Sequence, residues 1–304
     1  MLDLPTPHGD KLRALVQNEK LPTEDRPRVE QAVARYEEWL QQLKAVRGTY
    51  EEIVASQVSL LDDYKRYVEV DLVFDSDNDF LYRQKGQVKL DNTIIEEFLP
   101  ILVTTALADQ IQSYDLLSFG PTTCFSGIRF ESSIMNRQPG GGMHLREKDQ
   151  DFAISRHLFI QTSHQPDFQE SVTAETHIAY VAAECKTNLD KTMFQEAAAT
   201  ALDVKTAIPG AAYYLLCEWL DMTPISTSTT AIDEIIILRK AKRLPSNIRG
   251  EFNTAAGRRQ NRAVFTEYLA DHPFSIETFS RFLNYIRKLV SDDTEDDVLT
   301  RGYF

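Results

Sequence analysis

The stretch Val181-Ala182-Ala183-Glu184-Cys185-Lys186 decides how this chain is read. Side chains alternate faces along a β-strand. Glu184 and Lys186 therefore point one way, with Tyr180 and Ala182. Cys185 points the other way, with Val181 and Ala183. Both faces are apolar upstream, which predicts a central strand over 178–186 that is buried on both sides. Charges at the end of such a strand are not there for solubility. They mark the place where it emerges into a cleft. A partly buried ion pair at a strand end is the plainer reading of Glu-x-Lys alone.

The neighbourhood adds a second carboxylate. Lys148-Asp149-Gln150-Asp151 runs into Phe152-Ala153-Ile154, predicting a strand over 151–154 whose first residue is Asp151. If the two strands pair, Asp151 lies beside Glu184. Asp149 is the fallback, and Glu170 and Glu175 are weaker candidates. Downstream, a helix over about 190–207 turns Met193, Phe194, Ala197, Ala198, Ala201 and Val204 toward the sheet and leaves Gln195 near its N-terminal end. Two carboxylates and a lysine at one end of a sheet suit metal-dependent hydrolysis. Hard oxygen ligands hold Mg²⁺, and substrate phosphate and water complete its shell. The metal polarises the phosphate and helps to ionise the attacking water. The lysine orients or deprotonates that water and offsets charge on the phosphate.

Asp151, then Glu184-x-Lys186, then a helix bearing Gln195, resembles the PD-(D/E)XK nuclease superfamily. The stretch 148–205 is most like type II restriction endonucleases. It is similar in particular to the Bpu-type family, which cuts short asymmetric DNA sites with two different subunits. Gln150 stands where the motif has proline. The resemblance implies that Asp151, Glu184 and the Cys185 carbonyl hold Mg²⁺, that Lys186 positions the water and that Gln195 supports the site. It implies hydrolysis of double-stranded DNA at a specific short site, leaving 5′-phosphate and 3′-hydroxyl ends. A repair or recombination nuclease on the same core, and a DNA-binding subunit without activity of its own, are the alternatives.

The rest of the chain predicts an α/β (α+β) fold, with a mixed central sheet flanked by helices. Residues 1–67 form an N-terminal helical subdomain and residues 68–304 the nuclease core. Pro27 opens a helix with a seam at Val29, Val33, Tyr36, Leu40 and Leu43, and a second helix follows Gly48. This hairpin packs on the core, or serves as a dimerisation or DNA-clamping arm. Val70, Leu72 and Phe74 alternate as a strand would. Asp91 caps an apolar helix over 94–106 that Pro100 should kink or split. Gly120-Pro121 signals a turn before a strand over 125–134. Pro139-Gly140-Gly141-Gly142 lacks the Lys-Ser/Thr of a phosphate-binding loop and reads as a mobile connection. Strands are expected over 158–162, 213–220 and 234–239, with a loop over 223–230. An amphipathic helix begins near Ser275, and the acidic stretch 291–297 is expected to be solvated.

The chain has 304 residues, 42% of them hydrophobic and 26% charged, as in an ordinary globular protein. No apolar run is long enough to span a membrane, and the start lacks the basic and apolar regions of a signal peptide, so the cytoplasm is expected. The three cysteines, each in apolar surroundings, predict reduced buried thiols. The net charge of −13 argues against a general nucleic-acid coat protein. Charge is unevenly spread, however. Arg239, Lys240, Lys242, Arg243, Arg249, Arg258, Arg259 and Arg262 face one acid, Glu251, within the segment they define. The remaining chain holds 25 basic and 45 acidic residues, a net of −20. Such a concentration predicts a DNA-phosphate surface, or, more plainly, a solvated basic loop. One site per chain and two strands to cut predict a homodimer, or a heterodimer with a related nuclease subunit.

Overall fold

The computed structural model describes residues 4–87, 89–111 and 116–290. Six helices come first: α1 (Pro7–Val16), α2 (Arg26–Ala45), α3 (Tyr50–Arg66), α4 (Phe80–Gln84), α5 (Asn92–Ala106) and α6 (Ala108–Ile111). Five strands follow, β1 (Leu117–Phe130), β2 (Met143–Thr162), β3 (Val172–Leu189), β4 (Ala212–Leu220) and β5 (Glu234–Ile237), with α7 (Lys191–Ala207) between β3 and β4. The chain continues through α8 (Ser246–Glu251), α9 (Ala255–Gln260), α10 (Arg262–Asp271) and α11 (Ile276–Val290). Among the described residues no helix is long and apolar enough to cross a membrane. The acidic stretch 291–297 lies outside the described residues.

The strands form one mixed sheet in the order β1-β2-β3-β4-β5. The pairs β1–β2 and β2–β3 are antiparallel; β3–β4 and β4–β5 are parallel. Its two faces carry separate apolar layers. Val181, Ala183 and Cys185 of β3 join Tyr214 and Leu216 against α5 and α11. Ala182, Tyr213, Leu215 and Cys217 pack under Phe194, Ala197 and Ala201 of α7. The alternation along β3 is thus the expected one. Asp190 caps α7, its Oδ1 accepting the Met193 N–H at 2.9 Å.

The N-terminal helices share the first layer. Leu12, Tyr36, Trp39 and Leu61 belong to the same cluster as Phe152 and Phe282. The α2–α3 hairpin turns at Gly48, and a reciprocal cap between Thr49 and Glu52 starts α3. The expected strand around Val70–Phe74 is absent. Helix α3 instead runs on as a π-helical stretch, Tyr67–Phe74, so residue 68 lies inside a continuous helical run. Val68, Val70, Leu72, Val73 and Phe74 are all buried while Asp71 is exposed, and a short, mostly apolar run fits a buried helix as well as a strand. Pro100 likewise does not split α5, which continues to Ala106. Its ring packs toward Gly120, where a Cβ would come within 2.6 Å of Pro5 and 3.4 Å of Pro100.

β2 has 20 residues and would span roughly 66 Å if straight. Yet Gly140, just before it, is bonded to its far end: the Thr162 hydroxyl donates to Gly140 O at 2.8 Å, and Gly140 N–H donates to Glu170 O at 2.9 Å. The three antiparallel strands therefore curl on themselves, and register shifts at Gly120/Thr122, Phe125/Gly127 and Ile154/Ser155 supply the bends. The glycine loop expected to be mobile is the latch of this curl. A Cβ on Gly140 would lie 2.7 Å from Thr162 O and 2.8 Å from Val172.

A buried ion network fixes the helices to the sheet. Lys65 of α3 is fully buried, and its Nζ lies 2.5 Å from Glu218 of β4 and 3.8 Å from Glu69. Arg239 joins them, 3.1 Å from Asp62 and 3.5 Å from Glu218. Removing one partner of such a set leaves a buried charge uncompensated, which costs more than the pair contributes. Lys65→Met is expected to lower unfolding free energy by about 3–5 kcal/mol in urea titration. A loss below about 1 kcal/mol would show the network to be dispensable.

Candidate active site

The site begins at a fault in the β1–β2 ladder. Gly120 pairs with Ala153 and Thr122 with Gln150, so Asp151 and Phe152 face Pro121 alone. Proline has no N–H to donate, and a two-for-one bulge forms there. Such a bulge re-aims side chains. Asp151 is consequently not the first residue of a strand, as expected, but a bulge residue in the middle of β2. Gly120-Pro121 is not a turn before β1; it lies within it.

The β2–β3 ladder ends at the same level. Its last pair on this side is Phe152–Ala183, and beyond it the first half of β2 pairs with β1 while β3 continues beside β4. In the fork so opened, Cys185 N–H donates to Asp151 Oδ2 at 2.8 Å. A residue's N–H and C=O leave a strand on the same edge, so the Cys185 carbonyl also faces the fork. Glu184 stands next to it. Its Oε1 is 2.6 Å from Lys186 Nζ, and its Oε2 accepts the Tyr213 hydroxyl at 3.2 Å. Asp151, Glu184 and Lys186 are thus brought together at one end of two paired strands.

Burial raises the Asp151 pKa, against the Cys185 N–H and the Lys186 charge. For Lys186, burial works to lower the pKa, but the hydrogen bond and charge of Glu184, with Asp151, outweigh it and raise the value. Lys186 is therefore held as a cation in this arrangement.

One site residue was not anticipated. Glu96 of α5 is buried, and desolvation, then the charge of Asp151, push its pKa up to about 7. The signal in the sequence is Glu96-Glu97 set inside the apolar run Ile94-Ile95 and Phe98-Leu99. Charged residues are almost never fully buried unless partnered.

Other expected residues lie elsewhere. Asp149 is exposed and accepts the Thr123 hydroxyl at 2.6 Å. Glu170 pairs with Arg137 at 2.7 Å, and Glu175 is 3.4 Å from His157. Gln195 is on α7 but solvent-exposed, turned away from the face that packs on the sheet, and it bonds to none of the three site residues. From α7 it is Thr200 that reaches inward, to the Tyr213 hydroxyl.

The basic segment is largely neutralised from within. Arg258 is 1% exposed and donates to the carbonyls of Phe74, Ser76, Asn78 and Phe252. Arg239 is 4% exposed, inside the ion network. Neither presents a surface to DNA, which corrects the expectation for both. Internal carboxylates and carbonyls, not solvent, satisfy their charge. Arg243 and Arg249 share Asp221, Arg259 pairs with Asp77 at 2.9 Å, Arg262 with Asp75 at 2.8 Å and Lys240 with Glu277. Lys242 is exposed and, among the described residues, has no carboxylate partner.

Among the described residues no three His, Cys, Asp or Glu side chains form a metal cluster. The donors gathered at the fork are two carboxylates and a carbonyl, all hard oxygen. That set fits Mg²⁺, which is commonly held by one or two carboxylates with waters and phosphate. The ammonium of Lys186 on Glu184 shows that this carboxylate already faces a cation.

The fold is that of a restriction enzyme. The native BbvCI A2B2 tetramer is similar over 79% of this chain and 85% of that one, with a TM-score of 0.53 and 20% identity. The chain belongs to the Bpu10I restriction endonuclease family, whose model matches residues 87–304. Sequence comparison with curated proteins finds no relative.

The Glu96 shift has a measurable consequence. Between pH 4.5 and 7 the folded chain keeps a proton on Glu96 that the unfolded chain releases. Stability therefore falls as pH rises through that window. The wild type should lose up to about 3 kcal/mol more than Glu96→Gln between pH 4.5 and 7.5. Urea titrations in metal-free buffer measure this, and parallel curves would contradict it.

Proposed function

We propose that this chain is a Mg²⁺-dependent subunit of a type II restriction endonuclease, which hydrolyses phosphodiester bonds of double-stranded DNA at a specific short site. The observation that carries the reading is the fork at Asp151 and Cys185, with the Glu184–Lys186 pair beside it. Asp151, Glu184 and the Cys185 carbonyl would hold the metal, with Glu96 close by. Bound there, Mg²⁺ supplies a Lewis acid for the phosphate and lowers the pKa of the attacking water.

The chain's own groups do the rest. Lys186 donates hydrogen bonds to the water and stabilises charge as it develops on the phosphate. Tyr213, bonded to Glu184, holds that carboxylate in place. The apolar layers on both faces of β3 keep the strand end rigid, so the groups need little reorganisation.

A duplex break takes two cuts, and one chain offers one such constellation. BbvCI is an A2B2 tetramer. The same logic pairs this chain with a second copy or with a related subunit carrying its own site.

Cleavage of plasmid DNA tests the proposal, with the chain alone and mixed with its related subunit. Defined bands that require Mg²⁺ are expected. Glu184→Ala and Lys186→Ala should each reduce cleavage about 100-fold or more, while duplex binding persists. Full cleavage by either variant would remove the site from the mechanism.

A further inference from the structure

We propose that Lys11 and Lys89 form a clamp on the DNA phosphate backbone at the rim of the site; this rests on the nuclease reading above. The charges of three carboxylates, Glu96, Asp151 and Glu184, are felt around one lysine, Lys186, in a chain of net charge −13. A polyanion needs local cations to approach such a place. In the basic segment 239–262 all the basic residues but Lys242 are tied to carboxylates of this chain. Lys11 and Lys89 are exposed and, among the described residues, have no carboxylate within ion-pair distance.

Hydrogen bonds fix both lysines at the rim. Lys89 adopts a left-handed backbone conformation, φ 54°, which side chains bearing a Cβ rarely take. Thr93 holds it there, donating its N–H and its hydroxyl to Lys89 O at 3.4 and 2.7 Å. The next turn of chain is fastened over the end of β3, where the Thr187 hydroxyl, one residue past Lys186, donates to Asn92 Oδ1 at 2.5 Å. Lys11 is placed through α1. His8 N–H and Gly9 N–H donate to Glu97 Oε2 at 2.9 and 3.2 Å, and the His8 ring meets the Thr93 hydroxyl at 3.2 Å. Glu97 is the neighbour of Glu96. The charges of Lys89 and Lys11 both reach Glu96, and that of Lys89 also reaches Asp151.

Salt titration of DNA binding tests the clamp. The full-length chain and its variants are mixed, in EDTA, with a fluorescent duplex of about 30 base pairs of mixed sequence, so that only phosphate contacts are read. Lys11→Ala/Lys89→Ala should weaken binding and flatten the slope of log K against log salt by about 1.8, or about 0.9 per lysine. Arg259→Ala/Arg262→Ala should leave the slope unchanged, and Lys89→Arg should keep it. Thermal melting confirms that each variant is folded; both lysines are exposed. An unchanged slope in the lysine variant, or a loss confined to the arginine variant, overturns the clamp and leaves the nuclease reading intact if the wild type still cuts. A wild-type chain that binds no duplex and cuts none overturns both.

Discussion

Cys185 N–H has no strand partner, and the Asp151 carboxylate takes its place at 2.8 Å. A buried amide left unbonded costs about 1–3 kcal/mol, so wherever β2 parts from β3 something must accept that hydrogen. The parting itself is forced by the curl of β2, which a bulge opposite Pro121 makes possible. The carboxylate that satisfies the backbone is thereby held beside Glu184, although two buried acids side by side repel. Sheet geometry and site geometry are here one constraint. Filling the amide draws Asp151 in, and drawing Asp151 in creates a concentration of negative charge that Lys186 only partly offsets.

The same excess of acid shapes the rest of the molecule. Asp75, Asp77 and Asp79, which follow the π-helical stretch, neutralise Arg262, Arg259 and Arg258. Arg258 also closes the carbonyl ends of that stretch, whose residues have no further helix to bond to. The basic segment is thus half of an internal joint between the N-terminal helices and the C-terminal ones. A guanidinium with five donors suits the task, since a lysine could not reach the same set of carbonyls from one fixed plane.

How far this was legible varies with the physics involved. β3, α7 and the juxtaposition of Asp151 with Glu184-x-Lys186 were legible, because alternation of side chains and a capping Asp190 are local signals. The helical run through Val70 and Phe74 was not. Its apolar residues alternate by chance, and only the packing around them decides between strand and helix. Nor was the role of Pro121, since a Gly-Pro pair marks a turn or a bulge equally well until the partner strand is known. Clustered arginines signal a phosphate surface only if their carboxylates are distant, and Asp75, Asp77 and Asp79 lie about 180 residues away in sequence. Gln195 failed for a simpler reason: one position along a helix turns a side chain by about 100°.

Adjacent glutamates on α5 divide two tasks. Glu96 feels the charge of Asp151, while Glu97 accepts the N–H groups of His8 and Gly9 and, at 2.6 Å, the Tyr36 hydroxyl. Around Glu97 the polar groups are nearly all matched, and burial, with Lys65 nearby, lowers the His8 pKa to about 3. His8 therefore stays neutral across the physiological range, and no charge arises there to loosen α1 from α5. The N-terminal helix is held through a neutral His8, and through a Glu97 carboxyl whose pKa burial raises, against the helix that carries Glu96. Pro100 has no N–H to give the Glu96 carbonyl, so the helical ladder lacks a bond at that residue. The outer brace of α1 on Glu97 compensates for that weakness. The N-terminal hairpin, expected to pack on the core or to serve as an arm, reaches Glu97 through Tyr36, and with α1 it braces the helix that carries Glu96.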